Sequence, residues 1–381
     1  MLDKIKGCLM GGAAGDALGY AVEFYSADMI FEEYGEKGIT KYDLDYESGK
    51  ALISDDTQMT LFTANGILAG ETRLFMRGIG GMPHVYVSKS YQDWLRTQYE
   101  TYEEAKQKGA KMPYIDRMSW LLDVPQLYDR RAPGGTCLSA LMEKRERPQH
   151  EGFLDNPCND KRGCGAVMRI APLGLHYGKM SPETLAKEAA EISAITHGHP
   201  LGYMPAALLS LMLQRMVFDV EAPELKVIVL DALDTTCKVF HDKGYTEALR
   251  QIIERAVELS ENHDPDLKNI RRLGGGWVGD EALAIAIYCA LRYKDDFSKA
   301  IIAAVNHDGD SDSTGAIAGN ILGAYLGYDK IEEKWKQNLE LSDVILEIAE
   351  DLYRGCPMGE YSSHRDPAWE AKYILMKRYE G

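Results

Sequence analysis

The sequence predicts an all-α protein, because apolar residues recur at helical spacing through most of its 381 residues, while the alternation typical of strands is scarce. Two segments crowded with small residues point the same way. The chain is 45% hydrophobic and 27% charged and has no Ser-, Gly- or Pro-rich tract that would form a linker, as is usual for a globular protein. We therefore expect one compact domain over residues 1–381.

Three segments show the helical repeat most clearly. A short apolar run at 228–230, in contrast, is compatible with either a helix or a strand. The repeating apolar positions are Met59, Phe62, Ile67 and Leu68 after the aspartates at 55 and 56; Ala206, Leu209, Leu213 and Met216 after Pro205; and Leu249, Ile252, Ile253 and Val257 after Thr246.

Glycine and alanine predominate in the segments 11–15 and 315–324. A glycine inside a helix costs about 1 kcal/mol relative to alanine, so this density needs a compensating reason. Close packing of these helices against others at the centre of the molecule is the reason we expect.

The segment 71–157 differs from the rest in being rich in Tyr, Trp, Gln and charged residues. It predicts a variable insertion of amphipathic helices and a long loop laid over the core, part of which rims the pocket. A surface for self-association is the alternative. The aromatic residues in question are Tyr91, Trp94, Tyr99, Tyr102, Tyr114, Trp120 and Tyr128.

Charge and cysteine usage narrow the possible partners and compartment. The 43 Lys and Arg residues and 59 Asp and Glu residues give a formal net charge of −16, which disfavours stable binding to nucleic acid. Seven scattered cysteines without a CxxC pair indicate reduced thiols and a cytoplasmic location. The apolar run 282–291 is shorter than the roughly 20 residues that span a bilayer, so we expect no membrane segment.

Two aspartate clusters, at 54–57 and 308–314, each precede a segment of helical period. Helix capping by Ser54 would explain the first cluster without any ligand. The second is harder to explain in this way, because aspartates at 308, 310 and 312 repel one another unless they are solvated, protonated or bound to a cation. An EF-hand is excluded, since its sixth and twelfth loop positions would be Ser313 and Gly319.

Carboxylates and hydroxyls are ligands for Mg²⁺, Mn²⁺ or Ca²⁺ rather than Zn²⁺. If the two clusters meet in the fold, four of their five aspartates could hold two ions roughly 4 Å apart, as two-metal sites do. The candidate carboxylates are Asp55, Asp56, Asp310 and Asp312.

Six segments of the chain, in this order, resemble the ADP-ribosylglycohydrolase family, which includes the dinitrogenase-reductase-activating glycohydrolases. The resemblance covers the chain to about residue 327, and it implies a compact orthogonal bundle of many helices around a central dinuclear metal site. The segments are GCLMGGAAGDALGYAVEF, SDDTQMTL, GCGAVMRIAPLGL, THGHP, GGGWVGDEALAIAIYCAL and NHDGDSDSTGAIAGNILGAYLG.

By position, the resemblance implies that two Mg²⁺ or Mn²⁺ ions lie between the clusters. Many relatives carry Thr where this chain has serine at 54 and 313, and both residues keep the hydroxyl. Glu23 matches a family glutamate close to the metals and the scissile bond; without that match it reads as a surface acid at a helix end. The implied ligands are Ser54, Asp55, Asp56, Asp310, Asp312 and Ser313, and the implied catalytic residues are Glu23, Asp55, Asp56 and Asp310.

The resemblance also implies a site for ADP-ribose. Glycines in GCGAVMR would let backbone N–H groups approach a phosphate, although a plain turn would also explain them. His197 matches a histidine at the diphosphate-ribose site, and Trp277 could stack on adenine, line the pocket or anchor the core. The implied substrate-binding residues are Gly163, Cys164, Gly165, Ala166, Met168, His197 and Trp277.

The implied reaction is metal-dependent hydrolysis of the glycosidic bond between ADP-ribose and an acceptor, with ADP-ribosyl-arginine on protein as the first expectation. A serine, nucleic-acid base or small-metabolite conjugate is the alternative, as is a catalytically silent relative that binds ADP-ribose or serves a structural role. Some relatives use a second carboxylate, for which the sequence offers Asp93, Asp116, Asp123 and Asp129 without distinguishing among them.

Overall fold

A computed structural model describes residues 1–111, 117–147, 152–220, 223–361 and 363–379. In these ranges the chain is helical and has no strand, which confirms the all-α prediction. The α-helices are α1 Leu2–Tyr20, α2 Ala27–Tyr34, α3 Asp55–Arg77, α4 Pro83–Thr97, α5 Tyr102–Lys111, α6 Gly135–Glu146, α7 Ala171–His176, α8 Pro182–Ala194, α9 Pro200–Phe218, α10 Leu225–Val239, α11 Thr246–Ser260, α12 Asp266–Ile270, α13 Gly279–Arg292, α14 Phe297–Val305, α15 Ser311–Leu326, α16 Glu333–Lys336, α17 Ser342–Arg354 and α18 Pro367–Tyr373.

The first helix and α15 pack against each other through glycine along their whole length. A Cβ atom on Gly15 would lie 1.9 Å from the Gly315 carbonyl oxygen, and one on Gly11 would lie 2.5 Å from the Gly319 oxygen. The Asn320 side chain bonds the Cys8 carbonyl oxygen at 2.8 Å, across 312 residues of sequence. The predicted close approach of small-residue helices is thus confirmed, and it joins α1 directly to the helix that carries the second aspartate cluster.

Helix α9 lies inside the core, and its apolar residues face several neighbouring helices. Among the described residues it is the one helix long and apolar enough to cross a membrane by length and composition, and 89% of that stretch is buried in the protein. Buried core helices of soluble proteins pass the same test. The ambiguous apolar run at 228–230 is helical and belongs to α10.

The aromatic segment 71–157 contributes to the core as well as to the surface. In α4, Tyr91 and Trp94 are fully buried, and Trp120 after it is buried too. The Trp94 indole donates to the Gln58 side chain at 3.1 Å, which ties α4 to α3. Helix α4 is therefore part of the core, which differs from the expectation that this segment lies over it. The aromatic residue Tyr114 lies outside the described residues.

Candidate active site

The first aspartate cluster begins helix α3. The Ser54 hydroxyl oxygen caps the helix by accepting from the Asp56 amide at 3.2 Å. Both Asp55 and Asp56 are buried in the first turn. The backbone near residue 131 reaches this point, since the Gly134 amide donates to Asp55 Oδ2 at 3.1 Å and the Asp55 amide donates to the Arg131 carbonyl at 3.1 Å. Part of the segment 71–157 therefore borders the cluster, as predicted.

The second cluster begins helix α15 in the same way. Asp310 caps the helix by accepting from the Ser313 amide at 3.3 Å, and its own amide donates to the Gly275 carbonyl at 2.8 Å. Asp312 lies in the first turn and, like Asp310, is buried. The third aspartate of the cluster is separate: Asp308 forms a 2.7 Å ion pair with Arg271 at the surface.

Sequence reasoning missed Asp16, a fully buried carboxylate on α1 that links this helix to α3. It accepts hydrogen bonds from the Ser54 amide at 3.0 Å and from the Thr57 amide at 3.0 Å. Asp16 therefore fixes the backbone from which Asp55 and Asp56 project. The available signal was an acid inside the apolar, small-residue stretch 7–19 of this helix.

Six carboxylates from three helices and one turn are buried together. Burial, followed by repulsion from Asp310, Asp55 and Asp16, raises the pKa of Glu23. Burial and the neighbouring acids likewise raise the pKa of Asp56 and of Asp312 well above the usual range. The set comprises Asp16, Glu23, Asp55, Asp56, Asp310 and Asp312.

The two clusters meet, and their oxygen atoms are incompletely bonded. After burial, the charge of Asp56 is the largest cause that raises the pKa of Asp312, and Ser313 bonds Asp56, so the two clusters are in contact. One carboxylate oxygen of Asp56 and one of Glu23 are buried without a hydrogen-bond partner. Buried acceptors in this condition are costly, and a hard cation is the partner that satisfies several of them at once.

Within the described part of the chain, no three or more His, Cys, Asp and Glu side chains are arranged around one point so that they could hold a metal ion. A metal site here would therefore also need the hydroxyl oxygens of Ser54 and Ser313, backbone carbonyls or water. Serine hydroxyls and carboxylates together fit the oxygen preference of Mg²⁺ and Mn²⁺. The residues present are thus chemically suited to such an ion.

The glycine segment that begins at Gly163 lies against the second cluster. The Cys164 thiol donates to Asp310 Oδ2 at 2.8 Å, so this residue contacts a predicted metal ligand instead of acting only as a spacer. Gly165 and Ala166 are buried in the short 3₁₀ turn Cys164–Ala166. The Met168 sulfur accepts a weak bond from Ser313 at 3.8 Å, which brings the end of the segment to the same place.

The predicted His197 and Trp277 lie on either side of this segment. His197 is 98% buried in the connection between α8 and α9, and its Nδ1 atom lies 2.8 Å from the Thr196 hydroxyl oxygen. Trp277 is 47% exposed, and its carbonyl accepts from the Cys164 amide at 3.2 Å. A core anchor would be buried, so the exposure of Trp277 is incompatible with that role. A position beside the pocket agrees with its contact to the glycine segment.

The carboxylates considered for a second catalytic role have separate partners. Asp93 is buried and accepts from the Met118 amide at 2.6 Å, while Asp123 pairs with Arg117 at 2.7 Å. Asp129 pairs at 2.8 Å with Arg131, whose backbone contacts the first cluster, and is thus linked to the site through one residue. The remaining candidate, Asp116, lies outside the described residues.

Comparison with solved structures gives the class of the fold. A structure described as an ADP-ribosylglycohydrolase-related protein complex matches with a TM-score of 0.59, covering 93% of this chain and 98% of that one. Its sequence is 23% identical, so the match establishes the fold and no more. The all-helical architecture is thus that of the ADP-ribosylglycohydrolase fold.

The sequences identify the family. The pattern of the ADP-ribosylglycohydrolase family matches residues 1–361. An ADP-ribosyl-[dinitrogen reductase] glycohydrolase from Rhodospirillum rubrum is 25% identical, over 89% of this chain and 91% of the relative. The ADP-ribosylarginine hydrolase Tri1 from Serratia proteamaculans is 23% identical, over 94% of this chain and 81% of the relative.

The chain therefore belongs to the ADP-ribosylglycohydrolase family. Members of this family are hydrolases that act on glycosidic ADP-ribose bonds, and this protein is a hydrolase of ADP-ribosyl conjugates. The predicted family, fold and enzyme class are confirmed by these matches.

Proposed function

We propose that this protein removes ADP-ribose from arginine side chains of modified proteins by metal-dependent hydrolysis of the N-glycosidic bond. The observation that carries the proposal is the gathering of six buried carboxylates at the starts of α3 and α15 and the end of α1. So many like charges in one buried place are costly unless a cation offsets them. The cationic partner that fits oxygen ligands is a pair of Mg²⁺ or Mn²⁺ ions.

The residues that would hold the ions come from two directions. Ser54, Asp55 and Asp56 would bind from the start of α3, with Asp310, Asp312 and Ser313 binding from the start of α15. When bound, the ions supply positive charge that orients the ribose oxygens and offsets charge as the anomeric centre becomes oxocarbenium-like.

Glu23 is suited to move a proton or orient the sugar at the scissile bond. It lies just after α1, is largely buried, and has one carboxylate oxygen without a partner. A carboxyl group in such a place can hold a proton near neutral pH and donate it to a leaving nitrogen. The backbone amides of the glycine segment would bind the diphosphate, and Trp277 would stack on the adenine at the exposed edge.

Fewer observations bear on the acceptor than on the ADP-ribose half of the substrate. The Serratia relative is named for ADP-ribosylarginine, and the net charge of −16 favours approach of a cationic guanidinium over that of an anionic acceptor. Both observations support arginine over a serine, a nucleic-acid base or a small metabolite.

One experiment tests the reaction, the metal requirement and the acceptor together. The purified protein is incubated with Mg²⁺ or Mn²⁺ and proteins that carry ADP-ribose on arginine, serine or cysteine, and released ADP-ribose is measured. We expect release from the arginine conjugate and its loss when EDTA removes the ions. Release from none of the three conjugates, or release that EDTA does not affect, would rule out the proposal. Tight ADP-ribose binding without turnover would indicate a binding protein instead.

Glu23→Gln should reduce the rate of ADP-ribose release by about 100-fold or more, since a positioned proton-transfer group contributes on this order. Gln keeps the size of the side chain but cannot carry the proton. Mg²⁺ affinity, measured by calorimetry, should change much less than the rate. Glu36→Gln, at an exposed position in the following loop, is the matched control and should leave the rate unchanged. A Glu23→Gln enzyme that retains most of its rate would remove Glu23 from the reaction.

A further inference from the structure

Arg169, the last residue of GCGAVMR, has a fully buried guanidinium that bonds a hydroxyl and two sulfur atoms. Its Nη2 atom donates to Thr196 Oγ1 at 2.6 Å, and Nη1 lies 3.3 Å from Cys137 Sγ and 3.5 Å from Met59 Sδ. The guanidinium also packs over the Tyr91 ring, 4.4 Å from its centroid. Burying a charge is costly, so its short bond to Thr196 calls for a functional explanation.

Thr196 lies between Arg169 and His197. Its Oγ1 atom is 2.8 Å from His197 Nδ1. A guanidinium can only donate, so the Thr196 oxygen accepts from Arg169, and its own proton can go to the ring nitrogen or to the Cys137 sulfur. The positive charge polarises the hydroxyl and makes it a stronger donor. When the hydroxyl donates to the ring, Nδ1 of His197 is the acceptor.

The His197 ring is neutral under ordinary conditions. Burial and the positive charge of Arg169 together lower the pKa of His197 to about 3. A neutral imidazole carries one proton, so a ring that accepts at Nδ1 carries its proton on Nε2.

The Nε2 edge of His197 faces the glycine segment. A Cβ atom on Gly163 would lie 3.0 Å from Nε2, and one on Gly165 would lie 3.1 Å from Cε1. Any larger residue at either position would cover this edge. The residue between the two glycines, Cys164, bonds Asp310. The Nε2 edge of this buried ring is therefore bordered by the glycine segment that contacts the acidic site.

We infer that Arg169 and Thr196 are positioning residues that fix His197 in the tautomer protonated at Nε2, so that this atom donates to a diphosphate oxygen of the substrate. The identity of the ligand rests on the proposed function. Phosphate oxygens only accept, so the other tautomer would set a nitrogen lone pair against a negative charge. A neutral ring protonated at Nε2 can thus donate to the phosphate, and no charged histidine has to be buried.

The tautomer is measured directly by two-bond ¹H–¹⁵N correlation spectra of the histidine rings, with His197 assigned by comparison with His197→Gln. In the wild-type protein we expect Nδ1 unprotonated and Nε2 protonated. Thr196→Val, which removes only the hydroxyl, should give mixed tautomers and bind ADP-ribose about 10- to 100-fold more weakly by calorimetry. Thr196→Ser should restore both the wild-type ring signals and the affinity.

A wild-type ring protonated at Nδ1 would overturn the inference, and so would a Thr196→Val ring with unchanged signals. If Thr196→Val does not fold, the wild-type and Thr196→Ser spectra still decide the tautomer. The ring signals do not depend on turnover. A protein that shows the expected ring signals and binds ADP-ribose but leaves the arginine conjugate intact would therefore contradict the proposed acceptor while supporting the tautomer.

Discussion

Asp310→Asn is expected to reduce ADP-ribose release about 10³-fold, the largest effect of any single substitution proposed for this protein. The side chain caps α15, faces Glu23 and Asp55, and is a proposed metal ligand. Loss of a ligand that offsets charge in the transition state removes several kcal/mol, and about 1.4 kcal/mol corresponds to each tenfold change in rate. Initial rates with the arginine conjugate at saturating Mg²⁺ measure the effect.

Asp308→Asn is the matched control for this substitution. It removes a carboxylate two residues away that is paired with Arg271 at the surface, and it should leave the rate nearly unchanged. Loss of one of several mutually repelling buried charges should leave the metal-free Asp310→Asn protein at least as stable as wild type. Equal rates for the two variants, or an unfolded Asp310→Asn protein, would contradict the proposed role.

Gly15→Ala should lower the free energy of unfolding by about 3 kcal/mol or more. Its Cβ atom would lie 1.9 Å from the Gly315 carbonyl oxygen, and a backbone atom cannot move aside as a flexible side chain can. The helices α1 and α15 would have to separate at the centre of the protein. Urea denaturation followed by circular dichroism measures the change.

Gly359→Ala is the control for the added methyl group, because a Cβ atom at this position meets nothing within 4 Å. We expect its free energy of unfolding to stay within about 0.5 kcal/mol of wild type. A Gly15→Ala protein with the same urea midpoint as Gly359→Ala would show that α1 and α15 can separate at little cost.

The helices and both aspartate clusters could be predicted because their signals are local. Helical spacing of apolar residues and the serine before α3 are visible within a few residues of sequence. The structure confirms Ser54 as a helix cap and shows that Asp310 caps α15. Their roles as metal ligands stay a prediction, since these depend on an ion and on atoms from both clusters.

Features that depend on distant contacts could not be predicted. Asp16 binds the backbone of α3, and nothing in its own helix indicates that partner. The buried bond between Arg169 and Thr196 likewise joins residues whose neighbours in sequence give no hint of each other. The composition around Tyr91 and Trp94 suggested a segment that lies over the core, but both side chains are buried. Aromatic rings can either pack in a core or line a pocket, and tertiary packing decides which of the two occurs.

The pairing of α1 with α15 has a consequence for how the protein is made. Asn320 meets the Cys8 carbonyl across 312 residues, so α1 leaves the ribosome long before its partner α15. At about 5–20 residues per second, α1 waits on the order of tens of seconds for α15. During synthesis the glycine-lined face of α1 has no native partner until α15 emerges, whereas Asp16 finds its partners in α3. The second aspartate cluster, at the start of α15, therefore joins α1 and α3 late in synthesis.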